Sequence, residues 1–141
     1  MMRTQLIAIY SFLTILGELV AAPANQEAIT ELKDLRAEEA VFTDASSTKP
    51  VVLNSVKDGA KYFDEEALAA ISKTVDFEKQ IVLLFAWKGS GQDRLQYVVK
   101  ETSPEEIMFS HKPGRTRDLR LHVKVYVLRS NVKWAVKEDR A

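Results

Sequence analysis

Ile81-Val82-Leu83-Leu84-Phe85-Ala86-Trp87 is apolar at every position. Successive side chains of a β-strand point to opposite faces, so a strand with one wet face alternates, whereas one that is apolar throughout has both faces covered. This run therefore predicts the central strand of the fold. Upstream, Val51-Val52-Leu53 reads as a first or edge strand with Pro50 acceptable at its start, and Asp58-Gly59 interrupts it. Asp64 is placed to cap a helix whose first turn holds Glu65 and Glu66 and whose apolar face is Leu68, Ile71 and Val75.

Downstream, Leu95 to Lys100 partly alternates and is expected as a hairpin partner for the central strand. Ile107-Met108-Phe109 and the run Leu119 to Leu128 flank Lys112 to Asp118, which suggests a second hairpin with a wide, charged tip. Val132, Trp134 and Val136 alternate with Lys133, Ala135 and Lys137 in a last strand. About six strands and one or two short helices, with no βαβ rhythm, predict an α+β fold built on a mainly antiparallel curved sheet or small β-sandwich.

The chain on either side of this core divides simply. From Gln26 to Val41, Ile29, Leu32 and Leu35 are spaced like a helix face, so residues 25–49 are expected to form a helical or flexible arm followed by the polar linker Thr43 to Pro50. A single compact β-rich domain is expected over 50–141. Residues 1–24 follow the grammar of a secretory signal peptide: Arg3, an apolar run from Leu6 to Val20 carrying Glu18 near its end, then Ala22-Pro23-Ala24. The run is shorter than the roughly 20 apolar residues a membrane span needs. Cleavage after Ala24 leaves 117 of the 141 residues and no stable membrane span. The expected localisation is secreted or periplasmic, in a bacterial setting. With no cysteine, the chain has no disulfides and no thiolate metal sites.

Twenty basic and twenty acidic residues balance, but unevenly along the chain. Glu27 to Asp44 carries six acidic residues against Lys33 and Arg36, while Lys112 to Lys133 carries seven basic residues against Asp118 alone. Two polar loops stand out because each sets an Asp beside an Arg: Gly89-Ser90-Gly91-Gln92-Asp93-Arg94 and Gly114-Arg115-Thr116-Arg117-Asp118. Gly89 and Gly91 permit positive φ or a close backbone approach, and Ser90 offers an amide and a hydroxyl to an anion. The aspartates could equally fix the turns by accepting backbone or arginine hydrogen bonds. If Leu121, Val123, Val125 and Val127 face the core, Arg120, His122, Lys124 and Tyr126 share the opposite face, a row suited to carboxylate, sulfate or phosphate.

The candidate binding residues are thus Ser90, Asp93, Arg94, Arg115, Arg117, Asp118, Arg120 and His122. A competing hydrolase reading takes Ser90 as nucleophile with His111 or His122 as base, although the Gly-x-Ser-x-Gly elbow is missing. Two histidines 11 positions apart match no established zinc spacing, and no catalytic residue, cofactor or metal is assigned. Export argues against nucleic acid as the partner of the basic segment.

Val75-Asp76-Phe77-Glu78-Lys79-Gln80 followed by the apolar strand and Lys88-Gly89-Ser90-Gly91 resembles the middle of the small exported domain at the C-terminus of protease-complex-associated PrcB proteins. The resemblance spans Pro50 to Val99; where that family places a Gly-Gly-Tyr-like turn, this chain has Gly-Ser-Gly-Gln-Asp-Arg. The stretches around Trp87 to Leu95 and Pro113 to Trp134 also resemble exported bacterial proteins of uncharacterised role. Together these readings predict an exported, non-catalytic domain that binds a protein or anionic envelope partner through its arginine-rich loops. The alternatives are the small hydrolase and a purely structural envelope subunit.

Overall fold

A computed structural model describes residues 27–138, so the expected leader over 1–24 lies outside the described residues. In chain order the elements are β1 (Ile29–Leu32), α1 (Val41–Asp44), β2 (Val51–Leu53), a 3-10 turn (Lys57–Gly59), α2 (Glu65–Thr74), β3 (Gln80–Gly89), β4 (Arg94–Lys100), β5 (Glu106–Lys112), β6 (Arg120–Arg129) and β7 (Lys133–Lys137). They form an α+β fold of two sheets, ordered β1-β6-β3-β2 and β4-β5-β7. All neighbouring pairs are antiparallel except β5 and β7, which run parallel.

The unbroken apolar run behaves as its pattern predicts. Val82, Leu84 and Ala86 face one core, shared with Val125 and Val127 of β6 and with Phe63, Ala67 and Ile71 on the helical side. Leu83, Phe85 and Trp87 face a second core between the sheets, shared with Leu95, Ile107, Phe109, Tyr126 and Leu128. The four-stranded sheet is therefore the middle of three layers, which is why β3 has no polar position from Ile81 to Trp87. Ring centroids of Phe85 and Phe109 lie 5.0 Å apart, and those of Phe109 and Tyr126 5.3 Å. Aromatic pairs in this range add about 0.5–1.5 kcal/mol each beyond burial. At the start of α2, Asp64 Oδ1 accepts the Ala67 N–H at 2.8 Å, as the capping pattern predicts, and of the expected apolar face Ile71 and the C-cap Val75 are buried while Leu68 is partly buried against the same core.

Four expectations are corrected. Residues 29–32 are a strand instead of a helix: β1 pairs with β6, Ile29 opposite Leu128 through Leu32 opposite Val125. The segment 25–49 is likewise no loose arm over its described part, because Ile29, Val41 and Ala45 are buried in the two cores. Backbone pairing and burial of these few side chains outweigh a helical spacing only two turns long. Third, β4 is a partner of β5, not of the central strand, whose neighbours are β2 and β6. Fourth, β5 and β6 lie in different sheets, so Lys112 to Asp118 is a crossing between layers and not a hairpin tip. The row expected on the face opposite the core also breaks: Tyr126 is buried in the inter-sheet core, while Leu121, expected inside, is exposed.

These crossings place the site. Gly89, the last residue of β3, is opposite Arg120, the first of β6, and Arg94, the first of β4, is opposite Lys112, the last of β5. The β3–β4 and β5–β6 connections therefore leave from and arrive at the same end of the sandwich, side by side.

Candidate functional site

The two connections are tied together by their own polar groups. Asp93 lies nearly buried, with a side chain 6% exposed. Its Oδ1 accepts the Gly114 N–H at 2.6 Å and its Oδ2 accepts the Trp87 Nε1–H at 3.0 Å. His111 Nε2 sits 3.6 Å from the same Oδ2. Burial pushes the Asp93 carboxyl up, but the bonds from Gly114 and Trp87 and the nearby His111 outweigh it, and its pKa falls below the ordinary carboxylate value. Asp118 does the matching work from the other connection: Oδ1 accepts the Gly91 N–H at 3.1 Å and Oδ2 accepts from Arg120 Nε at 2.9 Å. Hydrogen bonds from Thr116, Arg120 and Gly91 hold its carboxyl far below the usual range.

Ser90 is committed to the same network. Its hydroxyl pairs with the Thr116 hydroxyl and accepts the Gln92 and Thr116 N–H groups at 3.1 and 3.2 Å. His122 Nε2 lies 2.7 Å from the Ser90 carbonyl oxygen, not from its hydroxyl, and the His122 ring stacks on Trp87 with centroids 4.8 Å apart. No histidine contact supports Ser90 as a nucleophile, since its oxygen already serves as a turn-fixing acceptor. The glycines are explained by close approach and not by positive φ, which none of the described glycines shows. A Cβ on Gly114 would strike the side chain of Gln92 and come within 2.6 Å of its carbonyl carbon.

All eight residues singled out in the sequence gather at this end, but in two roles. Ser90, Asp93, Asp118 and His122 join the connections, and Arg120 is partnered by Asp118. Arg94, Arg115 and Arg117 are exposed, and no carboxylate among the described residues forms an ion pair with them or with Lys112. A cleft between the connections is walled by Arg94, Gln96, Lys112, Arg115 and the Gly91 to Asp93 turn; Arg117, Asp118, Arg120 and His122 are not among its walls. The only carboxylate in those walls is Asp93, whose two oxygens are turned inward to Gly114 and Trp87. The cleft is thus cationic, lined by Arg94, Lys112 and Arg115, residue types capable of charge-assisted hydrogen bonds to an anion.

Sequence reasoning missed Thr116, Gln92 and Trp87 as members of the network. Gln92 Oε1 accepts the Arg115 N–H at 3.3 Å, which shapes the cleft wall. The Gln92–Arg115 and Ser90–Thr116 contacts join positions 23 and 26 residues apart and leave no local signal, while the Trp87 bond to Asp93 spans six residues across the turn. Among the described residues no group of three or more His, Asp or Glu could hold a metal ion, and no helix is long and apolar enough to cross a membrane.

Fold and site together define a three-layer α+β domain that carries a braced, cationic cleft at one end of its sandwich. Comparison with protein-family models, with curated proteins and with solved structures found no match to this chain.

Proposed function

We propose that this protein is an exported binding domain whose loop end captures an anionic envelope partner. One observation carries the reading. Arg94 and Lys112 face each other in register across β4 and β5, with Arg115 beside them and no carboxylate pairing with any of the three among the described residues. Like charges directly opposite each other in a sheet destabilise it, so the arrangement costs stability until an anion occupies the cleft. Rigidity supports the same reading: the bonds from Asp93, Asp118 and Ser90 hold the cleft walls in place, which lowers the ordering cost of binding. Export rests on the pattern of residues 1–24.

The test is a titration of the isotopically labelled chain with hexaglutamate peptide and with tripolyphosphate, followed by amide chemical shifts. Shifts confined to residues 88–94 and 110–118, and lost in Arg94→Ala/Lys112→Ala/Arg115→Ala, are expected. Shifts that persist in the variant, or that scatter over the surface, reject the cleft as the site.

A further inference from the structure

The three-stranded sheet turns one face to the inter-sheet core, and among the described residues no element packs on the other. Alternation assigns Arg94, Gln96, Val98 and Lys100 of β4, Glu106, Met108, Ser110 and Lys112 of β5, and Lys133, Ala135 and Lys137 of β7 to the outer face. Register arranges these side chains in rows. Val98, Met108 and Ala135 form an apolar row across the middle. Lys100, Glu106 and Lys133 lie on one side of it, and Ser110 beside Lys137, then Arg94 beside Lys112, lie on the other. Five cations and a single carboxylate thus share a face of about 20 by 10 Å, from the ordinary spacings of strands and of same-face residues. The carboxylate, Glu106, is taken up by Lys100 at 3.8 Å. Met108 on β5 stands in the middle of the apolar row, half-buried, and Val98, 64% exposed, flanks it on the edge strand β4.

We propose that this face is a docking surface for an anionic lipid bilayer. The inference goes beyond the loop cleft and stands even if the cleft binds nothing. Three features select lipid over a protein partner. Four of the five cations are lysines, whose compact charge on a flexible stem suits a diffuse layer of phosphates better than the directional, bidentate pairing that arginine gives to a carboxylate. Their stems let the ammonium groups reach headgroups while the apolar row sits lower, against the headgroup–acyl boundary. The chain has a formal net charge of zero, so attraction to an anionic membrane comes from this segregation of charge and not from the molecule as a whole.

The chain beginning at Asn25, which keeps both cores and every described element, is sedimented with vesicles of equal parts phosphatidylglycerol and phosphatidylcholine, and with phosphatidylcholine alone. Binding is expected only to the anionic vesicles and is expected to weaken with salt. Each basic side chain near such a surface contributes about a factor of five, so Lys133→Gln/Lys137→Gln should lower the partition coefficient about 25-fold. Lys57→Gln/Lys73→Gln removes the same charge from exposed positions off this sheet and should change it less than twofold, within the usual small effect of a remote surface charge. Circular dichroism confirms that both variants remain folded. Equal losses in the two variants, no binding to anionic vesicles, or equal binding to neutral ones overturns the proposal. Neither lysine of the sheet variant walls the loop cleft, so unchanged hexaglutamate binding in that variant keeps the two readings separable.

Discussion

Asp93→Ala tests the claim that one buried carboxylate joins the two connections. The substitution removes the acceptor of the Gly114 N–H at 2.6 Å and of the Trp87 indole N–H at 3.0 Å. A hydrogen bond to a charged group contributes about 1.5–3 kcal/mol, and a donor left buried without an acceptor costs about 1–3 kcal/mol. With the side chain 6% exposed, water cannot fully replace the carboxylate. Taking the two bonds together, the expected loss is about 3–5 kcal/mol, a large fraction of the 5–15 kcal/mol that holds a typical domain folded. Urea unfolding followed by the fluorescence of Trp87 and Trp134 measures it. Asp93→Asn keeps the shape and one acceptor but turns an amide donor toward Trp87 or Gly114, so its loss should be smaller, about 1–3 kcal/mol. The pH profile adds a second readout. The folded-state carboxyl is depressed, so its stabilisation is fully present above the unfolded aspartate value near 3.9 and disappears as pH falls through the lower folded value. Stability of the wild-type chain should therefore fall more steeply than that of Asp93→Asn below about pH 4–5. A loss under 1 kcal/mol in Asp93→Ala, or parallel acid profiles, would refute the brace.

Two further outcomes follow from the same geometry. Arg94→Glu replaces a like-charge pair opposite Lys112 with an opposite-charge pair; it should raise stability by about 0.2–1 kcal/mol in thermal unfolding while weakening hexaglutamate binding, and a destabilised variant would contradict the register argument. Removing residues 1–49 takes away β1, which covers the edge of β6, and the buried Val41 and Ala45; cooperative unfolding measured by circular dichroism should be lost or its midpoint lowered by more than 10 °C, since a single buried aliphatic already contributes about 1.5–3 kcal/mol.

Much of the architecture was legible because it is written in local patterns. An apolar residue at every position of 81–87 requires two covered faces, and the two cores on either side of β3 supply them. Asp64 followed by two glutamates and a spaced apolar face reads as a helix start because the cap and the dipole act within one turn. The clustering of Asp-Arg pairs in two glycine-bearing loops drew attention to the residues that meet at one end of the sandwich, although it did not separate those that brace the loops from those that wall the cleft without a carboxylate partner among the described residues.

What the chain alone determined is the α+β class, the central strand, the capped helix and the polar character of the two connections. Tertiary structure decided which strands share a sheet, because backbone hydrogen bonds are the same for every residue type and carry no address. Ile29 to Leu32 becomes a strand only because the edge of β6, 93 to 99 positions away, offers it a ladder. The same non-local choice sends β4 and β5 into the second sheet, buries Tyr126 between the layers, and sets Arg94 against Lys112. Side-chain direction follows from sequence with a period of two, but whether a face meets core or water depends on the layer packed against it.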